Sequence, residues 1–141
     1  MKRKTILITG ATGFLGSYIT RELFEAGFYL KLLIRNSADR QAKERIFEVF
    51  PSFGTTGFSF DTLSERIEII TGDITERHLG LNDSDYSRLS NTVDEIFHCA
   101  AAIKFNDRPD NALEYTNVYG TEHVLRFCLL NKTKRLHYIS T

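Results

Sequence analysis

The 141-residue sequence predicts an α/β protein built on a doubly wound parallel sheet. Three observations carry that reading. Short apolar, β-branched segments alternate with segments of helical periodicity, an order that calls for parallel strands with crossover helices on both faces. The strand segments are near-continuous apolar runs, as expected where helices cover both faces of a sheet. The first strand also runs directly into a glycine triplet that opens the first helix. Right-handed crossovers, with a switch point between the first and fourth strands, give the spatial order 3-2-1-4-5.

Each element has its own signal. Thr5-Ile6-Leu7-Ile8-Thr9 is the first strand, stopped by Gly10. Leu15, Ile19, Leu23 and Ala26 recur at helical spacing, and Gly27 stands where a helix-ending glycine belongs. Phe28 to Ile34 is the second strand and ends at Arg35. Ser37 is the expected N-cap of a helix reaching about Phe50, where Pro51 forbids continuation. Residues 51–66 alternate Gly, Ser and Thr with phenylalanines and read as a loop or broken helix. Ile67, Ile69 and Ile70 form the third strand, closed by Gly72-Asp73. A short helix is expected over Asp83 to Leu89 and a fourth strand over Glu95 to Ala101. Leu113, Val118, Val124, Leu125 and Leu129 predict one helix from Arg108 to Asn131, before a fifth strand, Leu136 to Ser140. With no internal repeat and no linker, residues 1–141 read as a single domain.

Composition excludes several classes. Hydrophobic residues are 42% and charged residues 26% of the chain, which is globular rather than disordered. Lys and Arg (18) balance Asp and Glu (18), so no broad basic face for nucleic acid is expected. The basic run Lys132-Thr133-Lys134-Arg135 reads as a solvated loop. No apolar run approaches the roughly 18 residues of a membrane span. The basic Met1-Lys2-Arg3-Lys4 is followed by an apolar stretch too short for a signal peptide. Cys99 and Cys128 make no disulfide framework, so reduced, buried thiols in a cytoplasmic protein are expected. His78, His98, His123 and His137 lack metal-ligand spacing, and His98 and His137 are expected to pack within strands.

The chemistry sits in Gly10-Ala11-Thr12-Gly13-Phe14-Leu15-Gly16, a G-x-x-G-x-x-G between strand and helix. In a Rossmann-like dinucleotide site, Gly10 permits the tight turn and Gly13 lets backbone approach a pyrophosphate. Gly16 lets the helix lie close. The unpaired N–H groups at the helix start, with their positive dipole end, would hold phosphates over Thr12, Gly13, Phe14 and Leu15. The same triplet can also serve packing alone. It is not a P-loop, since no Gly-Lys-Ser/Thr follows. Where NAD-binding folds of this type place an acidic residue on the ribose 2′-OH, this chain has Arg35, with Arg40, Lys43 and Arg45 following. A guanidinium accepts no hydrogen bond but pairs with a 2′-phosphate, which points to NADP(H); a solvated surface arginine is the alternative.

Four motifs in order, TGATGFLG, GDIT, HCAA and NVYGT, resemble the extended short-chain dehydrogenase/reductases. ERIEIITGDIT, LGLNDSDYSRLSNTVDEIFHCAAAIKF and RLHYIST are similar to the thioester-reductase and fatty acyl-CoA reductase branch. That resemblance spans Thr5 to Thr141. It implies an NADPH-dependent reduction of an acyl thioester on coenzyme A or a carrier protein to an aldehyde or alcohol. It gives Asp73 a contact with the adenine ring, with Ile74 beside it, or else a strand-end capping role. Ala100 and Ala101 are small where the chain passes the cofactor ribose, and Ala102 continues that cofactor-binding stretch. Asn117 would bridge backbone near the central strands, and Gly120 would be a helix-to-sheet contact point. Thr141 aligns with the Ser/Thr that hydrogen-bonds the reacting carbonyl.

One departure matters. That chemistry needs a Tyr with a Lys four residues later, and none of the six tyrosines has one. The chain is therefore expected to be the cofactor-binding part of a longer enzyme, inactive alone. Its fifth strand would be an exposed edge open to self-association. A nucleotide-sugar epimerase or dehydratase and a non-catalytic NADP-binding module are the competing readings.

Overall fold

The computed structural model describes residues 2–37, 41–49, 65–103, 111–131 and 135–140. Five strands, β1 (Thr5–Thr9), β2 (Tyr29–Ile34), β3 (Ile67–Thr71), β4 (Glu95–His98) and β5 (Leu136–Tyr138), form one parallel sheet in the order β3-β2-β1-β4-β5. This is the predicted order. β4 and β5 are shorter than their apolar runs suggest. In the central register Thr9 sits between Leu33 on β2 and His98 on β4.

The pleat sends alternate residues of β1 to opposite faces. Ile6 and Ile8 join Phe24, Leu30, Leu32 and Ile46 in one core. Leu7 joins Leu89, Ile96, Val124 and Phe127 in the other. α1 (Phe14–Glu25) and α2 (Ala42–Val49) supply the first core; α3 (Asp83–Thr92) and α5 (Gly120–Leu130) supply the second. α1 ends as its glycine predicts. Gly27 takes φ +91°, its N–H bonds the Phe24 carbonyl, and the Phe28 N–H bonds the Leu23 carbonyl, the paired pattern of a Schellman motif.

Three elements depart from expectation. α2 begins at Ala42, not just after Ser37. The Asn36 carboxamide accepts the Ala42 N–H at 3.0 Å, and Glu44 reaches back to the Gln41 N–H at 3.2 Å, so the start is fixed from both sides. α3 runs on to Thr92, with Asn82 capping the Asp85 N–H at 2.8 Å. The single helix expected after β4 is, where described, α4 (Ala112–Glu114), a π-helical turn (Tyr115–Tyr119) and α5. A turn that the periodicity did not foresee, Arg77–Gly80, precedes α3 and holds His78 and Leu79 at φ +53° and +58°. Leu79 occupies that costly left-handed conformation while fully buried in the second core. The irregular stretch 51–64, Phe50, and positions 108–110 and 132–134 lie outside the described residues.

The N-terminal end of the sheet is tied by one carboxylate. Glu95 on β4 accepts from Lys4 (2.5 Å), Arg135 (2.9 Å) and His137 (2.9 Å), which joins β1, β4 and β5. Burial would raise this carboxyl, but the three donors outweigh it and hold it down at about 2. Among the described residues no helix is long and apolar enough to cross a membrane, and no group of three or more potential ligands could hold a metal.

Candidate functional site

A groove of about 260 Å³ opens at the C-terminal ends of the strands. Its walls come from every part of the switch point. β1 and its turn give Thr9, Gly10, Thr12 and Gly13; β2 gives Leu33, Ile34 and Arg35; α2 gives Arg45. Gly72, Asp73, Ile74 and Thr75 enter after β3, and Cys99, Ala100, Ala101 and Ala102 after β4. Thr116, from the π turn, completes the lining. Crevices at this position are where open α/β sheets bind ligands. A larger cleft, about 590 Å³, lies at the other end of the strands, around Thr5, Tyr29 and Asp94, away from the glycine turn.

The glycine turn is built for close approach. Gly10 sits at φ +74°, and a Cβ there would lie 2.5 Å from the Ala100 nitrogen. A Cβ on Gly16 would lie 2.0 Å from the Gly10 carbonyl oxygen, so the first turn of α1 packs on the glycine turn itself rather than on β1. Gly13 differs from both. Its Cβ would meet only the Gly10 oxygen, at 3.3 Å, and its backbone is extended. Gly13 is the N-cap of α1, no side chain caps that helix, and its first turn holds no acidic residue. The N–H groups of the first helical turn point along the axis with no intrahelical acceptor. Phe14 and Leu15 expose their side chains outside the groove, so any part they play there is through backbone.

Two guanidinium groups flank the end of β2. Arg35 is exposed, and no carboxylate pairs with it among the described residues. Arg45 is anchored: Nη1 donates to the Arg35 carbonyl at 2.8 Å and Nη2 to the Thr12 hydroxyl at 3.2 Å. One cation therefore ties the glycine turn to the end of β2. The sequence placed Arg45 near the site but gave no hint of this bridge.

Across the groove, Asp73 uses Oδ1 to accept from the Thr75 N–H (2.9 Å) and hydroxyl (2.8 Å), and its own N–H bonds the Leu79 carbonyl (2.9 Å). The capping role considered for Asp73 is thus present on one oxygen. Ile74 is buried and packs on Gly120, so that glycine meets the loop after β3 rather than the sheet. Asn117 bridges backbone as the resemblance implies: Oδ1 accepts the Ala102 N–H at 2.8 Å and Nδ2 donates to the Ala102 carbonyl at 3.1 Å. Cys99 lines the groove, but burial pushes its thiol up to about 11, so it stays protonated near neutral pH. Of the anticipated cofactor residues, Gly16, Asn117, Phe14 and Leu15 stand behind or beside the lining, and the others line it. Thr141 and Arg40 lie outside the described residues. Thr9 and Thr75 were not singled out from the sequence; the D-x-T spacing at Asp73 was the available signal for Thr75.

Known proteins share this fold. Residues 8–141 match the NAD-binding family described as Male sterility protein. Isonitrile lipopeptide synthase of Mycobacterium tuberculosis is 36% identical over 98% of this chain and 6% of its own length. Fatty acyl-CoA reductase 2 of Mus musculus is 33% identical over 86% of this chain and 24% of its own. The terminal R domain from the myxalamid PKS-NRPS biosynthetic pathway superposes with a TM-score of 0.82 at 34% identity, over 100% of this chain and 35% of that one. A thiolation-reductase di-domain from an archaeal non-ribosomal peptide synthetase gives 0.80 at 28%, over 100% and 36%. This chain therefore spans about a third or less of the length of each relative. With the sheet order, the glycine turn and a family match over nearly its whole length, the chain belongs to the Male sterility protein family of NAD-binding domains, the extended short-chain dehydrogenase/reductase branch that includes thioester-reductase domains and fatty acyl-CoA reductases.

Proposed function

We propose that the groove binds NADP(H) and that residues 1–141 form the cofactor-binding part of an NADPH-dependent acyl-thioester reductase. The observation that carries the cofactor reading is the uncapped start of α1, facing a groove flanked by Arg35 and Arg45. Anionic groups are favoured at such an end by its free N–H groups and its dipole. Gly13 fits the group: a Cβ there would press on the Gly10 carbonyl oxygen at 3.3 Å, a milder conflict than at Gly10 or Gly16, and would also stand where a pyrophosphate lies on the backbone. NADPH, when bound, supplies the hydride. The chain's residues bind and orient it. The amides of Thr12, Phe14 and Leu15 hold the diphosphate, the Gly13 N–H being already bonded to the Gly10 carbonyl at 3.0 Å; Arg35 pairs with the 2′-phosphate, and Arg45 fixes the turn against β2. Asp73 and Ile74 border the adenine end, and Ala100 to Ala102 leave room for the ribose.

The relatives' names support an acyl group on coenzyme A or on a carrier thiol as the substrate. Thr141 would hydrogen-bond the reacting carbonyl. Because no Tyr in this chain has a Lys four residues later, the chain lacks a proton donor of that design. It should oxidise no NADPH with an acyl-coenzyme A or acyl-carrier substrate. Absorbance at the cofactor's reduced band checks this, and turnover above background overturns it.

Calorimetric titration tests the cofactor. Charge-assisted hydrogen bonds to a 2′-phosphate contribute about 1.5–3 kcal/mol, so NADPH should bind roughly 10- to 150-fold more tightly than NADH. Arg35→Ala should erase most of that preference. Equal or tighter binding of NADH by the unaltered chain overturns the role of Arg35; binding of neither overturns the groove as a dinucleotide site.

A further inference from the structure

Four polar side chains, Thr9 in the groove wall with His98, Thr121 and Asn117 behind it, are joined by linking hydrogen bonds whose directions are set. The Thr121 hydroxyl lies 2.8 Å from the Asn117 carbonyl, which can only accept, so the hydroxyl proton goes there. His98 Nε2, 3.0 Å from the Thr121 hydroxyl oxygen, must then donate to that hydroxyl. A neutral imidazole with its proton on Nε2 has a bare Nδ1. The Thr9 hydroxyl, 2.6 Å away, therefore donates to Nδ1 and accepts the Ala100 N–H at 3.3 Å. At the far end, the Asn117 carboxamide holds the Ala102 N–H and carbonyl. The chain thus begins on Ala100 and ends on Ala102, the residues either side of exposed Ala101 in the groove wall. His98, at its centre, is fully buried and stacks on Tyr138 with 5.4 Å between ring centroids. The π turn carries Asn117, and the parallel register sets Thr9 beside His98.

We propose that this closed chain clamps the Ala100–Ala102 backbone at the depth the cofactor requires, with His98, Thr121 and Asn117 as positioning residues that do not touch the cofactor. The inference rests on the reading that the groove takes NADP(H).

Nitrogen-15 NMR of the imidazole in the full chain reads the first link: Nε2 protonated and Nδ1 bare. A proton on Nδ1 overturns the clamp. NADP+ titration reads the second. Thr121→Val removes one half-buried hydrogen-bonding hydroxyl and should weaken NADP+ binding roughly tenfold, while Thr121→Ser restores it to within about twofold. If Thr121→Val lowers the melting temperature and leaves NADP+ affinity unchanged, the chain is only structural and the proposal fails. If the unaltered chain binds no NADP+, the groove reading fails separately. Amide exchange then judges the clamp: the Ala102 N–H should be protected and released in Asn117→Ala, and rapid exchange in the unaltered chain overturns it.

Discussion

Gly10→Ala should cost the fold about 3 kcal/mol or more, whereas Gly13→Val should leave stability within about 1 kcal/mol of the parent and abolish NADPH binding. The two glycines lie in one turn, but different neighbours demand them. At Gly10 the backbone is left-handed, which costs an L-residue about 1–3 kcal/mol. Its Cβ would also enter the backbone of Ala100 at 2.5 Å, and overpacking of that kind adds about 1–3 kcal/mol. Backbone cannot swing aside as a flexible side chain does, so β1 and the loop after β4 must separate. At Gly13 the φ of −78° suits any residue, and the nearest atom to a new Cβ is 3.3 Å away. That contact is tight and asks the Gly10 carbonyl to give by a few tenths of an ångström, far less than the 2.5 Å approach at Gly10 demands, while the branched side chain would crowd the start of α1 where the diphosphate is proposed to lie. Urea unfolding and NADPH titration of both variants separate the effects. A Gly13→Val chain that binds NADPH as the parent does, or a Gly10→Ala chain of parental stability, contradicts this account. With total stability of a domain at about 5–15 kcal/mol, the Gly10 loss is large enough to read without ambiguity.

The fold was legible because its determinants are local. Apolar runs mark the strands, Gly27 marks a helix end, and the glycine triplet marks the turn that precedes α1. The strand order then followed from handedness rules rather than from any residue. What periodicity missed came from groups that reach across sequence. α2 starts late because Asn36 takes the Ala42 N–H, a contact six positions long that outweighs the N-cap preference of Ser37. The π turn puts Val118, one of the apolar positions that predicted a continuous helix, on the exposed side while Val124 is buried, a shift of phase that the apolar spacing by itself does not record. Leu79 is held at positive φ by the second core and by the Asp73 N–H that bonds its carbonyl, a tertiary demand with no local signal. The site was legible in its loops and not in its supports. Thr9 and His98 are 89 positions apart, and only the β1–β4 register makes them neighbours.

That buried histidine gives the domain an acid weakness well above the range of its carboxylates. Burial pushes the His98 imidazole down to about 4 from the ordinary 6.5, and the groups packed on it are the Thr9 and Thr121 hydroxyls and the Tyr138 ring, none of them charged. The unfolded chain therefore takes up a proton below pH 6.5 that the folded chain refuses until about pH 4. Acid drives unfolding across that window: the contribution is whole above pH 6.5, falls as pH drops, and is gone below about pH 4, an overall loss of about 3 kcal/mol. Glu95 acts in the next window down. Its carboxyl, held at about 2, stabilises the fold above pH 4.5 and loses that contribution between pH 4.5 and about 2. Urea unfolding at about pH 7.5 and pH 5.0, compared between the parent and His98→Gln, isolates this histidine: Glu95 stays ionised in both states over most of that range, and the other three histidines are common to both proteins. The parent chain should lose about 2 kcal/mol through His98 alone between these two values. His98→Gln keeps a donor and an acceptor at the site without a titrating group, so its stability should be lower at pH 7.5 but flatter toward pH 5.0 by that same amount. Parallel pH slopes in the two proteins would mean that His98 titrates alike in the folded and unfolded chains, and that the ring is solvated rather than sealed between Thr9, Thr121 and Tyr138.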